Sequence, residues 1–497
     1  MSPGIEVGAP NLMFAQPIQA DYEHLCRLDV LGLADRSEGD QEDVYCEFKE
    51  QLERDPSGWY QTGLPWRGNH LPLATNEAGS KRRLRNLVKR LEISNLTEAH
   101  DSVIQDQMAA GVIEKAPAVP GKREFYLPHK PVVRETASTT KLRIVYDGSA
   151  RATPDVPSIN DCLNPGPSLQ SALWDILVRE RIFPIALTGD IQKAFLQIRV
   201  KECDRDALRF HWDDDGEVVS YRFTRVLFGL TSSPFLLNGV LCAYLDHWAK
   251  SHPHEAEELR KSLYVDDIIT GGTTVAEVQQ KKDNVLKILH DGQFKPHIWA
   301  SNDPNLDLGA QATDEQLTSA KTQLGAQAGE SKILGLTWDK ERDTLSVQLG
   351  NPRETVTKRI VLGHLARIYD PLGVPSPLTL TGKQLYREVC DTKMAWDAEL
   401  STELQYKYRA WEETLSKEVT IPRALPKYRE SIDAAELHAF GDASAVGVST
   451  AVYAVIKQST GVSKHLVAAK SRLAKRGLII PRLELVAAHT SVNYFVS

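Results

Sequence analysis

Two adjacent aspartates, Asp266 and Asp267, interrupt an otherwise apolar stretch, with Leu263-Tyr264-Val265 before them and Ile268-Ile269 after. Apolar runs on either side of a short polar break predict a strand, a tight turn and a returning strand. A third aspartate, Asp190, ends another apolar strand, Pro184 to Gly189, 76 residues earlier. A sheet that pairs these strands gathers three carboxylates in one cluster. Their mutual repulsion needs compensation, and divalent cations provide it. Two such ions about 3.5–4 Å apart activate a hydroxyl, stabilise a transferring phosphoryl group and hold a leaving pyrophosphate. The plainer alternative is a hairpin turn that merely begins with aspartate.

The chain has 497 residues, 42% of them hydrophobic, which suits roughly three domains with sizeable cores. Lysine and arginine number 59 against 66 aspartates and glutamates, so a histone-like basic coat is excluded while a local basic channel is not. Six scattered cysteines (Cys26, Cys46, Cys162, Cys203, Cys242 and Cys390) form neither a disulfide framework nor a CxxC zinc spacing, and read as free thiols of a reducing compartment. The N-terminus lacks the basic start and apolar run of a signal peptide. The uncharged stretch Val226 to Leu245 is long enough to span a bilayer, but Gly229, Ser232, Ser233, Pro234 and Asn238 break it; a buried loop and helix is expected instead. Neither GxGxxG nor GxxxxGK[ST] occurs.

Lys81 to Glu92 has helical periodicity, with Leu84, Leu87, Val88 and Leu91 on one face and Lys81, Arg82, Arg85, Lys89 and Arg90 mostly on the other. That basic face is either solvated or turned to phosphates. Lys141-Leu142-Arg143-Ile144-Val145-Tyr146 alternates as a strand, placing Lys141 and Arg143 on one face, a geometry suited to a phosphate clamp. A helix is expected near 168–181, hairpin material over 197–221, an amphipathic helix from Val275 to Leu289 and a poorly structured insertion over 303–330. Residues 355–430 read as helical and turn-rich, with a proline-rich break from Ile368 to Thr379; two apolar strands and a helix follow from Leu437.

The segments LTGDIQKAFLQI (Leu187 to Ile198), RFTRVLFGLTSSPFLLN (Arg222 to Asn238) and Tyr264-Val265-Asp266-Asp267, in this order, resemble the palm of reverse transcriptases. KLRIVYDGSA, VTKRIVLGHLARIYDPLG and PRLELVAA around them resemble the Pol polyprotein of Bel/Pao-type LTR retrotransposons, and the resemblance covers about residues 80–497. It implies an α+β right-hand polymerase of fingers, palm and thumb, followed by a connection and an incomplete RNase H-like α/β domain. The expected divisions are 1–80, a polyprotein remnant or linker; 81–345, fingers and palm with the start of the thumb; 346–430, thumb or connection; and 431–497, RNase H-like. Asp190, Asp266 and Asp267 then match the metal-binding aspartates for Mg²⁺ or Mn²⁺, and Tyr264 the residue beside the primer end. Arg143 and Lys141 match cations that hold the triphosphate, and Phe195 the aromatic that screens out a ribose 2′-hydroxyl. Phe228 stands where many retroviral enzymes have glutamine. Ile333 to Asp339 resembles the stretch that seats the primer.

Asp442 and Glu484 match the first two RNase H carboxylates; the family pattern needs two more aspartates, and only 13 residues follow Glu484, so no hybrid cleavage and an incompletely covered core are expected. The Pao "peptidase" name attached to this region implies no proteolysis, since neither Asp-Thr-Gly nor Asp-Ser-Gly occurs. The expected activity is RNA-directed DNA polymerisation on an RNA or DNA template with primer and deoxynucleoside triphosphates, in a cytoplasmic retrotransposon particle and without a membrane. A catalytically silent nucleic-acid-binding remnant is the main alternative, and a nuclease acting through Asp442 and Glu484 a third.

Overall fold

The apolar run ending at Asp190 forms the strand Ile185–Ile191, an inner member of a four-stranded antiparallel sheet. The order is Leu263–Tyr264, Asp267–Gly272, Ile185–Ile191, Pro296–Ser301. The computed structural model describes residues 38–496 apart from 69, 71, 135–140, 215, 307–329 and 351–355. Most of the insertion expected over 303–330 lies outside the described residues.

Alternation along these strands buries both faces of the sheet. Ile185, Leu187 and Ile268 enter one core with Tyr244, Val285 and Ile288, while Ala186 and Ile269 enter another with Ile176, Leu177 and Trp338. The helix Val275–Asp291 starts where the Thr274 hydroxyl accepts from Glu277 N at 3.2 Å and the Glu277 carboxylate accepts from Thr273 N at 2.9 Å, which satisfies donors that a helix start leaves unpaired. The uncharged stretch becomes a loop and the helix Ser233–Trp248, buried on nearly every side. No helix among the described residues is long and apolar enough to cross a membrane.

The basic segment forms the helix Glu77–Ile93 with Leu84, Leu87 and Leu91 buried, as its periodicity predicts. Lys141–Tyr146 pairs with His129–Arg134 in a separate two-stranded ribbon, and Arg209–Asp214 pairs with Glu217–Phe223. The helix expected near 168–181 is shorter, Leu173–Glu180, with Ala172 before it in extended geometry at ψ 139°.

Two sequence expectations need correcting. Residues 38–80 are not a linker: the helix Glu38–Gln51 sets Phe48 against Phe235 with ring centroids 5.1 Å apart, and Tyr60–Thr62 pairs in parallel with Arg199–Val200. Their charge-rich composition hides anchors that act singly. Nor is 355–430 wholly helical. Beyond the helices Lys358–Arg367, Ser376–Asp391 and Thr402–Thr414, the strand Glu418–Pro422 completes a sheet with Glu330–Ile333, Leu336–Asp339 and Thr344–Gln348, so this sheet crosses the division expected at 345.

The next residue, Arg423, is fully buried. Its guanidinium donates to Glu180 Oε1 (3.0 Å), to both Asp343 carboxylate oxygens (2.6 and 2.8 Å) and to the carbonyls of Phe183 and Pro184. Arg181 donates to the carbonyls of Arg423 and Val467, tying the palm to the last sheet. That sheet is Ala434–Ala443, Gly447–Gln458 and Gly461–Leu473, antiparallel, followed by the helix Ile480–Val496. Its first strand is exposed along almost its whole length. Phe440 is 61% and Leu485 70% exposed.

Candidate active site

The strand register sets Asp267 directly opposite Asp190, and the Asp266 carbonyl accepts from Ile191 N at 2.8 Å. Asp267 opens the returning strand, so the turn proper is Val265-Asp266. Val265 takes φ +56°, a left-handed conformation that a β-branched residue adopts only when its surroundings impose it. Gly189 precedes Asp190 because Trp299 lies over it; a Cβ there would stand 2.7 Å from the indole ring.

Burial raises the Asp266 carboxyl to about 6, with Asp190 adding to the effect, and raises Asp267 to about 7, with Asp266 and Asp190 adding. Charge repulsion among all three therefore operates, and it is the repulsion that a hard dication relieves. The donor set fits Mg²⁺ or Mn²⁺ in kind. Among the described residues, however, no group of three or more His, Cys, Asp or Glu side chains is closed up around a metal position.

His297 is a neighbour the sequence reading missed. It sits opposite Asp190 on the other side of the strand, with Nδ1 3.7 Å from Asp190 Oδ2 and without a hydrogen-bond partner. A register shift between His297 and Ala300, with Ile298 at φ +55°, places it there. Such a bulge has no apolar periodicity to announce it.

Phe195 lies in the turn after the Asp190 strand and is 3% exposed; Phe228, 58% exposed, covers it at a ring-centroid distance of 4.3 Å. Phe228 is the ring that solvent reaches. Tyr264 is half-buried and packs onto the second core, and burial raises its phenol. Arg143 is exposed on its ribbon, opposite Val132, and the Lys141 side chain lies outside the described residues. The ribbon shares no strand pairing with the aspartate sheet. At the other end of the molecule Glu484 and Gly441, the neighbour of Asp442, line a cleft of about 590 Å³.

The model of the reverse transcriptase (RNA-dependent DNA polymerase) family matches residues 157–296, which contain all three aspartates, and that of the Pao retrotransposon-like RNaseH-like domain matches 357–497. Among solved structures, the foamy viral protease-reverse transcriptase dRH in complex with double-stranded DNA is 14% identical, with 97% of this chain and 75% of that one covered at a TM-score of 0.52. The foamy viral protease-reverse transcriptase in complex with an RNA/DNA hybrid is also 14% identical, with 97% and 57% covered at 0.51. No curated protein matches. At this identity the likeness is one of fold: fingers, palm and thumb, then an RNase H-like domain. With the two family models in this order, the chain is a Bel/Pao-type retrotransposon Pol sequence in which a reverse transcriptase region precedes an RNase H-like domain.

Proposed function

We propose that the chain is an RNA-directed DNA polymerase, extending a primer on an RNA or DNA template with deoxynucleoside triphosphates. The observation that carries this reading is the register of Asp267 on Asp190 beside Asp266, a cluster in which burial first, and the neighbouring carboxylates second, raise Asp266 and Asp267. Mg²⁺ or Mn²⁺ held by Asp190, Asp266 and Asp267 would supply activation of the primer hydroxyl and charge compensation at the triphosphate. Tyr264 supports the primer end beside them. Phe228, backed by the buried Phe195, forms an aromatic wall against the sugar, which favours deoxyribose. Lys141 and Arg143, with the basic face of Glu77–Ile93, supply the positive charge for triphosphate and template. The foamy viral structures bound to DNA and to an RNA/DNA hybrid support a nucleic-acid partner for this fold. Work inside a cytoplasmic retrotransposon particle is what the family resemblance implies.

One observation favours the rival, a silent nucleic-acid-binding protein: the carboxylates are not closed around an ion position among the described residues. Primer extension on poly(rA)/oligo(dT) with dTTP and Mg²⁺ or Mn²⁺ separates the two. Extension by the chain and none by Asp266→Asn/Asp267→Asn supports the polymerase. A folded, duplex-binding chain that extends nothing supports the rival.

A further inference from the structure

The hairpin Glu330–Ile333 and Leu336–Asp339 turns through Leu334 at φ +46° and Gly335 at φ +91°. Leucine does not adopt that conformation unaided, so the turn is held from outside. The holder is Tyr369, in the loop after the helix Lys358–Arg367. Its hydroxyl donates to the Leu334 carbonyl at 2.8 Å, and its ring closes on Gly335, where a Cβ would lie 2.8 Å from Cε1. Tyr369 is itself fixed on both sides: Ile368 packs into the second core, and the Asp370 carboxylate accepts from Val374 N at 2.9 Å. Tyr264 and Leu334 pack onto the same core. Three segments distant in sequence thus share one core: the hairpin turn, the loop of Tyr369 and the residue that opens the Val265-Asp266 turn.

We propose that Tyr369 is a positioning residue that sets the Leu334-Gly335 turn against Tyr264 and thereby fixes where the primer terminus lies. The inference rests on the polymerase reading. Tyr369 acts through the Leu334-Gly335 turn, so its effect belongs to the primer and not to the triphosphate.

The test is Tyr369→Phe, which keeps the ring and removes the hydroxyl, compared with Gly335→Ala, whose Cβ presses on the Tyr369 ring and parts it from the turn. Steady-state extension is measured with primer–template and dTTP varied separately, alongside the melting temperature. Loss of one hydrogen bond is expected to lower kcat/KM for primer–template by about three- to tenfold, with KM for dTTP and the melting temperature unchanged in Tyr369→Phe. Gly335→Ala is expected to share that selective signature. An unchanged kcat/KM for primer–template in Tyr369→Phe, or an equal change in KM for dTTP, overturns the inference. A second arm needs no turnover: 2-aminopurine at the primer 3′ end reports its stacking in the bound duplex, and emission should differ between the chain and Tyr369→Phe. If the unaltered chain binds duplex without extending it, the polymerase reading fails, and identical emission in this arm overturns the positioning role separately.

Discussion

Gly189 shows how one missing side chain controls a reactive neighbour. With the Trp299 ring where a Cβ would stand, Gly189→Ala forces the strand or the indole to move. Overpacking of this kind costs about 1–3 kcal/mol. A lowered denaturant midpoint is therefore expected for Gly189→Ala, recovered in part by Trp299→Leu. The aspartates give a second expectation. Their folded-state carboxyls are raised, so the stability they contribute is full below the ordinary carboxylate range and is lost as pH rises through about 6 and about 7. Asp266→Asn/Asp267→Asn removes that loss. In EDTA the variant should melt roughly 2–4 °C above the unaltered chain at pH 8, and the gap should close by pH 5. Melting curves across that range check it; a gap independent of pH would contradict the repulsion.

At the scale of elements, sequence legibility followed the strength of periodicity. The aspartate strands were readable as apolar runs broken by acids, and the helix Glu77–Ile93 and the alternation of Lys141–Tyr146 because they carry periods of 3.6 and 2. Glu418–Pro422 was not: its burial alternates too weakly, and its partners lie some 70 residues back. His297 depends on a bulge and Arg423 on partners from two distant segments, neither of which leaves a local pattern. The strand Ala434–Ala443 is exposed along almost its whole length. Apolar side chains on such an edge invite pairing with other chains. Phe440→Lys with Leu485→Glu should reduce light scattering on concentration while leaving the melting temperature within about 1 °C. A large drop in melting temperature would mean that these residues are covered in solution.

The whole molecule is joined at Arg423. Burial pushes Glu180 up to about 7 even with the guanidinium beside it, so removing that partner leaves a carboxyl that is neither solvated nor paired. Arg423→Ala should cost about 3–5 kcal/mol. It should also separate unfolding of the reverse transcriptase region from that of the RNase H-like sheet, since the Arg423 guanidinium holds the carbonyls of Glu180, Phe183 and Pro184, in the segment from which Arg181 reaches the Val467 carbonyl. Scanning calorimetry would show two transitions in place of one. Arg423→Met with Glu180→Leu, apolar on both sides, should restore most of the loss; failure to do so would mean that Asp343 is the costlier orphan.

The strand Glu418–Pro422 also sets an order of events during synthesis. Chains leave the ribosome from their N-terminus, and domains fold as they emerge. Here the hairpins at 330–348 have no outer strand, and Glu180 no guanidinium, until residues 418–423 have been made. The polymerase half thus waits, nearly complete, for a stretch encoded just before its neighbour, and expression boundaries drawn ahead of residue 418 would cut through a sheet and strand a buried acid.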